Sequence, residues 1–569
     1  METKVSVSDK SIGFPRALRD MFSDAGFILP LVGAGGFYPV SEFLWCGNCR
    51  LRLRNSFGKK SSFFLHFLVF FKMSMKTIAV IDCLKNNRFS REPLFGGHSA
   101  ERLCADAVVS ALRLGEIDGS VVRLAAAPEA AGADGIRTVA VSATDAGGYF
   151  EALTKITEGY DVALRICGDA PFVNPDLILE TIKEHTETAA DFTYGEGFPL
   201  GLCPEAIETD LLPILAELNR NAPLPHRSLF PYFEKQINDY DIAVVIAPQD
   251  SRRLRLSLFA DSFRRLTLLT RLAAASNGAV TPSFIAENEK LLLVPPAFYP
   301  IQIVDARVQT PIYVPQALSA EAGSGAEMSV ESLRLLLRRA EEVSGSFVVS
   351  LSMNCDPVCH SRFFEAAQAA LESKASAVLI ETAGLRWDSE RAEALTAAAA
   401  GRLIWIVLLD AGTEEDYRKL RGEGFAEASA FAGRMVAAFP ESVYVQAVRL
   451  KGYESAADAF YRVWKPKTDR LIIQKHDSFC GLVPEMKAVD LSPLKRFPCH
   501  HLKRELPVLF DGTVPMCSED LNRTVLRGNA LTDDWQTLFD SVLRQYEEQV
   551  DGKYNGICGG CDEYYTFNF

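Results

Sequence analysis

At 569 residues the chain exceeds what one hydrophobic core normally organises, which predicts several domains. Its 48% hydrophobic and 23% charged composition excludes a mainly disordered, collagen-like or small disulfide-scaffold chain. A formal net charge of -13 repels polyanions, so no general footprint for nucleic acid or anionic lipid is expected.

Residues 1–72 read as an extension outside the fold, because a start at Met73 or Met75 places the apolar strand Thr77–Ile81 at the N-terminus. The apolar run Phe63–Phe71 is about half of the roughly 20 residues that a spanning helix needs, so no membrane span is expected. Cys46 and Cys49 form a CxxC here without the flanking strand and helix that a redox motif uses, and chance explains them. Thirteen cysteines, an odd number without an export signal, predict a cytoplasmic chain whose thiols stay free or bind metal.

From Lys76 to about Ala275, short β-branched runs such as Ile78–Ile81, Arg137–Val141 and Val162–Ile166 alternate with helical stretches. That alternation predicts an α/β region with a parallel or mixed sheet, assigned to residues 73–292. A second series, including Phe347–Leu351, Ala377–Ile380, Ile404–Leu408 and Val443–Gln446, predicts a complete or partial (β/α) barrel over 293–465. In the remainder, 466–569, prolines recur and periodicity fades until the helix Asp534–Val550, so this segment needs a staple.

In the first region the strand ending Ile166-Cys167-Gly168-Asp169 is followed by a helix after the Asn174-Pro175 cap. An acid at a strand's C-terminal end lies where open α/β sheets bind ligands, and it can hold Mg2+ against phosphates. The stretch resembles the metal-binding strand of cytidylyltransferases that activate sugars, with Asp261, after a predicted strand Leu254–Leu258, as the second acid. The resemblance implies a Mg2+-nucleotide site made by Asp169 and Asp261, with Arg88 steadying phosphate. Glu92 and Leu200 depart from it, standing where a lysine and an acid are usual.

The second region resembles a radical-SAM barrel, whose CxxxCxxC binds a [4Fe-4S] cluster. Here Arg307, Pro311 and Val314 occupy the three cysteine positions, and none can ligate iron. Asn354–His360 resembles the segment that receives the methionyl amine, and Glu381–Gly384 the strand end that follows. Cys355, Cys359 and His360 are read as substitutions in a loop rather than as a metal site.

Cys499, twelve residues, Gly512, four residues and Cys517, with Cys558-Gly559-Gly560-Cys561 far downstream, form the most specific pattern in the chain. Thiolates suit soft metal centres, and four can ligate one cubane cluster. Asp511-Gly512 predicts a hairpin turn between Pro507–Phe510 and Thr513–Met516. The cysteines resemble those of the SPASM domain, and the chain from Met75 onward resembles the spiro-SPASM family. That resemblance implies an α/β multidomain fold: a nucleotidyltransferase-like sheet, a radical-SAM-like barrel without its cluster, and a small SPASM domain with one [4Fe-4S] cluster. Zinc is the rival metal. His500 and His501, beside the first cysteine, are read as solvated or hydrogen-bonded.

The expected role is an iron-sulfur protein that binds or presents a peptide, protein or nucleotide-sugar ligand. One alternative is Mg2+-dependent cytidylyl transfer to a sugar for surface glycan modification; another is electron transfer.

Overall fold

The computed structural model describes residues 75–566 except 116, 118 and 127–134, so the readings of residues 1–72 and of Cys46 and Cys49 fall outside the described residues. Met75–Phe569 forms one compact unit. Among the described residues no helix is long and apolar enough to cross a membrane.

The first sheet has seven strands: β1 (Thr77–Asp82), β2 (Gly119–Ala125), β3 (Arg137–Ala140), β4 (Val162–Cys167), β5 (Phe192–Glu196), β6 (Glu205–Glu208) and β7 (Ile242–Ile246), in the order β3-β2-β1-β4-β6-β5-β7. β6 runs antiparallel to both neighbours and the other pairings are parallel, so the sheet is mixed. Ile78 and Val80 enter one core while Ala79 and Ile81 enter another, which explains why β1 is apolar throughout: both of its faces are covered.

The second sheet has six strands, β8 (Phe298–Pro300), β9 (Phe347–Ser350), β10 (Ala375–Thr382), β11 (Leu403–Leu408), β12 (Val443–Arg449) and β13 (Leu471–Lys475), parallel and in sequential order. It is a half-barrel, the partial form of the expected barrel. The helix Val330–Ser344 shows why the connections hold. Ser329 accepts from Ser332 N at its start, and Val330, Leu333, Leu336, Leu337 and Ala340 make one buried stripe.

The C-terminal segment shares that core, with Leu506, Val508, Val514, Leu538 and Tyr546 packed into the cluster that holds Tyr299, Leu333 and Val349. Two local expectations are corrected. The turn at Gly512 forms and Leu509 N donates to Thr513 O across it at 2.8 Å, but the ladder of β14 (Thr513–Pro515) is made with β15 (Leu526–Asn529) and not with Pro507–Phe510. The open edge of β8 takes the earlier segment: Val508 N donates to Pro300 O, and Gln302 N donates to Val508 O, each at 2.9 Å. Leu254–Leu258 is not a strand, because Leu254 closes a 3-10 turn and Arg255 turns left-handed at φ +47°.

Candidate functional site

The four predicted cysteines line one small cavity, together with a fifth, Cys480. Gly512 in their pattern has a physical reason: it sits at φ +85°, and a Cβ there would meet Asn529 Oδ1 at 2.6 Å and Leu531 Cδ1 at 2.7 Å. The helix Trp535–Val550 covers the cavity and presents Gln545 and Gln549, one turn apart, on the same face. Gln545 Nε2 and Gln549 Nε2 donate to Cys558 Sγ at 3.4 and 3.5 Å, and Glu563 N donates to Cys561 Sγ at 3.3 Å. Gln549 Oε1 also accepts from Cys499 N at 2.9 Å, so one amide ties the first cysteine to the last pair.

Burial pushes the Cys499, Cys517 and Cys558 thiols up, whereas a hydrogen bond with Cys480 holds Cys561 down to about 7. Packing these groups as thiolates is costly without a cation, so a metal centre that binds them must displace protons. Among the described residues, the single group of three His, Cys, Asp or Glu ligand atoms lying within 4.8 Å of one another is Asp477, Asp562 and Glu563. No three of the sulfurs are therefore that close. The acidic group is held by lysines, with Lys475 Nζ 3.2 Å and Lys487 Nζ 2.5 Å from Asp562 Oδ2.

Both histidines beside Cys499 are engaged. His500 is buried and donates its backbone N–H to Tyr564 O at 2.9 Å, while His501 meets Glu505 through Nδ1 at 2.8 Å and Thr566 Oγ1 through Nε2 at 3.0 Å. Cys480, nineteen residues before Cys499, was not part of the sequence pattern. It is reached by an unusual backbone in which Phe479, Cys480 and Gly481 all have positive φ, at 50°, 54° and 90°.

In the first sheet, Gly168 and Asp169 follow β4. A Cβ at Gly168 would lie 2.3 Å from Cys83 Sγ, so only glycine lets the strand end approach β1 this closely. Asp169 and Asp261 are brought together, and the group between them is Arg227. Its Nη1 lies 2.8 and 2.9 Å from the two Asp169 oxygens, and its Nη2 lies 2.6 Å from Asp261 Oδ2. Arg265 also pairs with Asp261, and Phe259 backs the Arg227 guanidinium at 3.8 Å. Burial pushes the Asp169 carboxyl up and Arg227 opposes that shift. Arg88 does not join them: it is exposed and lies over the Phe89 ring, while Asn87 Nδ2 donates to Asp261 O at 2.8 Å. Nothing in the motif spacing pointed to Arg227, which sits in the connection between β6 and β7.

The half-barrel has its own cavity beyond the C-terminal ends of its strands, and Arg307, Pro311 and Val314 all line it. Cys355 is buried with its thiol toward Leu351 O. His360 uses both ring nitrogens, on Met328 O at 2.9 Å and Arg362 N at 3.0 Å, which agrees with the loop reading.

No family model matches the chain. An uncharacterized protein of Treponema pallidum (strain Nichols) is 33% identical over 360 residues, covering 60% of this chain and 98% of that protein. The chain belongs to the same family as that treponemal protein. A shorter match within this chain links it to the spore coat polysaccharide biosynthesis protein SpsF of Bacillus subtilis (strain 168), 28% identical over 101 residues, which cover 18% of this chain and 42% of SpsF. Solved structures with similarity to this chain include a cytidylyltransferase from Leptospira borgpetersenii (16% identity, 38% of this chain and 96% of that one, TM-score 0.32). Others are anSMEcpe with bound AdoMet (13%, 46% and 84%, TM-score 0.36) and Streptococcus suis SuiB bound to its precursor peptide SuiA (13%, 66% and 93%, TM-score 0.38). At these identities and TM-scores no chemistry carries over from them.

Proposed function

We propose that the chain is a cytoplasmic iron-sulfur protein of the spiro-SPASM type, in which Cys499, Cys517, Cys558 and Cys561 hold one [4Fe-4S] cluster. The observation that carries this reading is the meeting of four thiols from three separate chain stretches in one cavity, with amide N–H groups donating to two of the sulfurs. When bound, the cluster supplies one-electron exchange and ties the C-terminal segment together. The chain's own residues do the rest. Gln545, Gln549 and the Glu563 backbone N–H stabilise charge on sulfur, and the Arg496 guanidinium lies 4.2 Å from the Tyr554 ring and 4.6 Å from the Tyr564 ring beside the cysteines.

The role we assign is binding or presenting a peptide, protein or nucleotide-sugar ligand, with the first sheet serving as a retained nucleotidyltransferase-like scaffold. Arg227 supports scaffold over turnover, since a magnesium nucleotide would have to displace it from both acids. The pairing of Asp169 with Asp261, with the SpsF match, is what favours the second reading, Mg2+-dependent cytidylyl transfer. Anaerobic reconstitution with ferrous iron and sulfide tests the first. Thiolate-to-iron absorption and a paramagnetic signal after one-electron reduction support it; a colourless protein that takes up one zinc ion overturns it.

A further inference from the structure

Arg307 lines the half-barrel cavity with its Nε buried and without a hydrogen-bond partner. The other cations in that wall are spent. Arg421 is ion-paired with Asp410 at 2.7 Å and bonded to Tyr313 at 3.0 Å, and Lys475 is held by Asp562 and Glu563. Asp356, the carboxylate beside Arg307, is itself occupied: Thr382 Oγ1 and Ala383 N each donate to it at 2.9 Å. Asp356 and Glu381 oppose its charge, but a buried guanidinium N–H left without an acceptor is costly unless a ligand completes it.

Opposite in sign, Glu381 lines the same cavity. Among the described residues its carboxylate makes no ion pair; burial pushes its pKa up and the nearby Arg307 charge opposes that shift. Gln446 Nε2 donates to Gln474 Oε1 at 2.6 Å, which orients the Gln474 amide nitrogen for another acceptor. Leu408, Val448 and Phe479 supply apolar wall. We propose that this cavity binds a small organic carboxylate that carries a neighbouring hydroxyl or ammonium donor: the carboxylate meets Arg307 and the donor meets Glu381. The site is separate from the cysteine cavity and does not depend on the cluster reading.

The test is thermal unfolding of the full chain with glycolate and glycine as probes, against acetate, glycolamide and inorganic phosphate. Glycolate and glycine should raise the melting temperature of the wild type with concentration, acetate less, and glycolamide and phosphate not at all. Arg307→Met should weaken glycolate binding by about thirtyfold or more, and Glu381→Gln should remove the advantage of glycine over acetate. Wild-type indifference to every probe, or an equal response to phosphate, would overturn the proposal.

Discussion

Arg227 meets Asp169 through a single nitrogen, Nη1, 2.8 Å from Oδ1 and 2.9 Å from Oδ2, so a fixed cation stands against the carboxylate that a magnesium ion would need. Its other terminal nitrogen reaches Asp261. Arg227→Met should therefore lower stability by about 3 kcal/mol, since it leaves two carboxylates facing each other largely out of water. Magnesium should stabilise that variant more than the wild type. Calorimetric unfolding with and without Mg2+ checks this, and equal Mg2+ effects on both proteins would count against the substitution of arginine for metal.

Asp169 was legible because it ends an apolar strand, where ligands of open sheets gather, whereas Asp261 was paired with it only through the resemblance to cytidylyltransferases. Arg227 was not legible, because it lies in an irregular connection and acts through space, 34 positions before Asp261. The four cysteines of the CxxC and C-x12-G-x4-C pattern were legible from spacing alone, but Cys480 was hidden by the left-handed turn that delivers it. Leu254–Leu258 misled because its apolar residues pack into the core without extended backbone at Arg255. Composition reports burial more faithfully than it reports backbone direction.

Cys480 is hydrogen-bonded to Cys561 and shares the cavity, yet four ligands already complete a cubane. Cys480→Ser should keep wild-type iron content after anaerobic reconstitution, whereas Cys517→Ser should lose most of it. Equal losses would move Cys480 into the ligand set.

Lys503 donates to Leu254 O at 3.1 Å, and burial holds its ammonium down to about 8 from an ordinary 10.5. Between those values the unfolded chain carries a proton that the folded chain lacks, so stability rises with pH there and the full penalty is present below about 8. Lys503→Met should thus be more stable than the wild type near neutral pH, with the advantage vanishing as pH passes 10.5. Urea unfolding at both ends of the window measures the gap; a gap independent of pH would refute the burial argument.

With Arg307, Pro311 and Val314 lining the half-barrel cavity, the chain should not cleave S-adenosylmethionine reductively. Assay of 5'-deoxyadenosine under dithionite should give no more product than the variant lacking the four C-terminal cysteines. A clear excess would mean that a cluster-supporting site exists in the barrel after all.

The central claim is that Cys499, Cys517, Cys558 and Cys561 hold an iron-sulfur cluster, and it is met most directly by counting iron, sulfide and zinc in anaerobically purified protein and in the quadruple Cys→Ser variant. The account predicts about four irons and four sulfides per wild-type chain, little zinc, and none of the iron in the variant. Stoichiometric zinc without sulfide, or iron and sulfide retained in the quadruple variant, would contradict it.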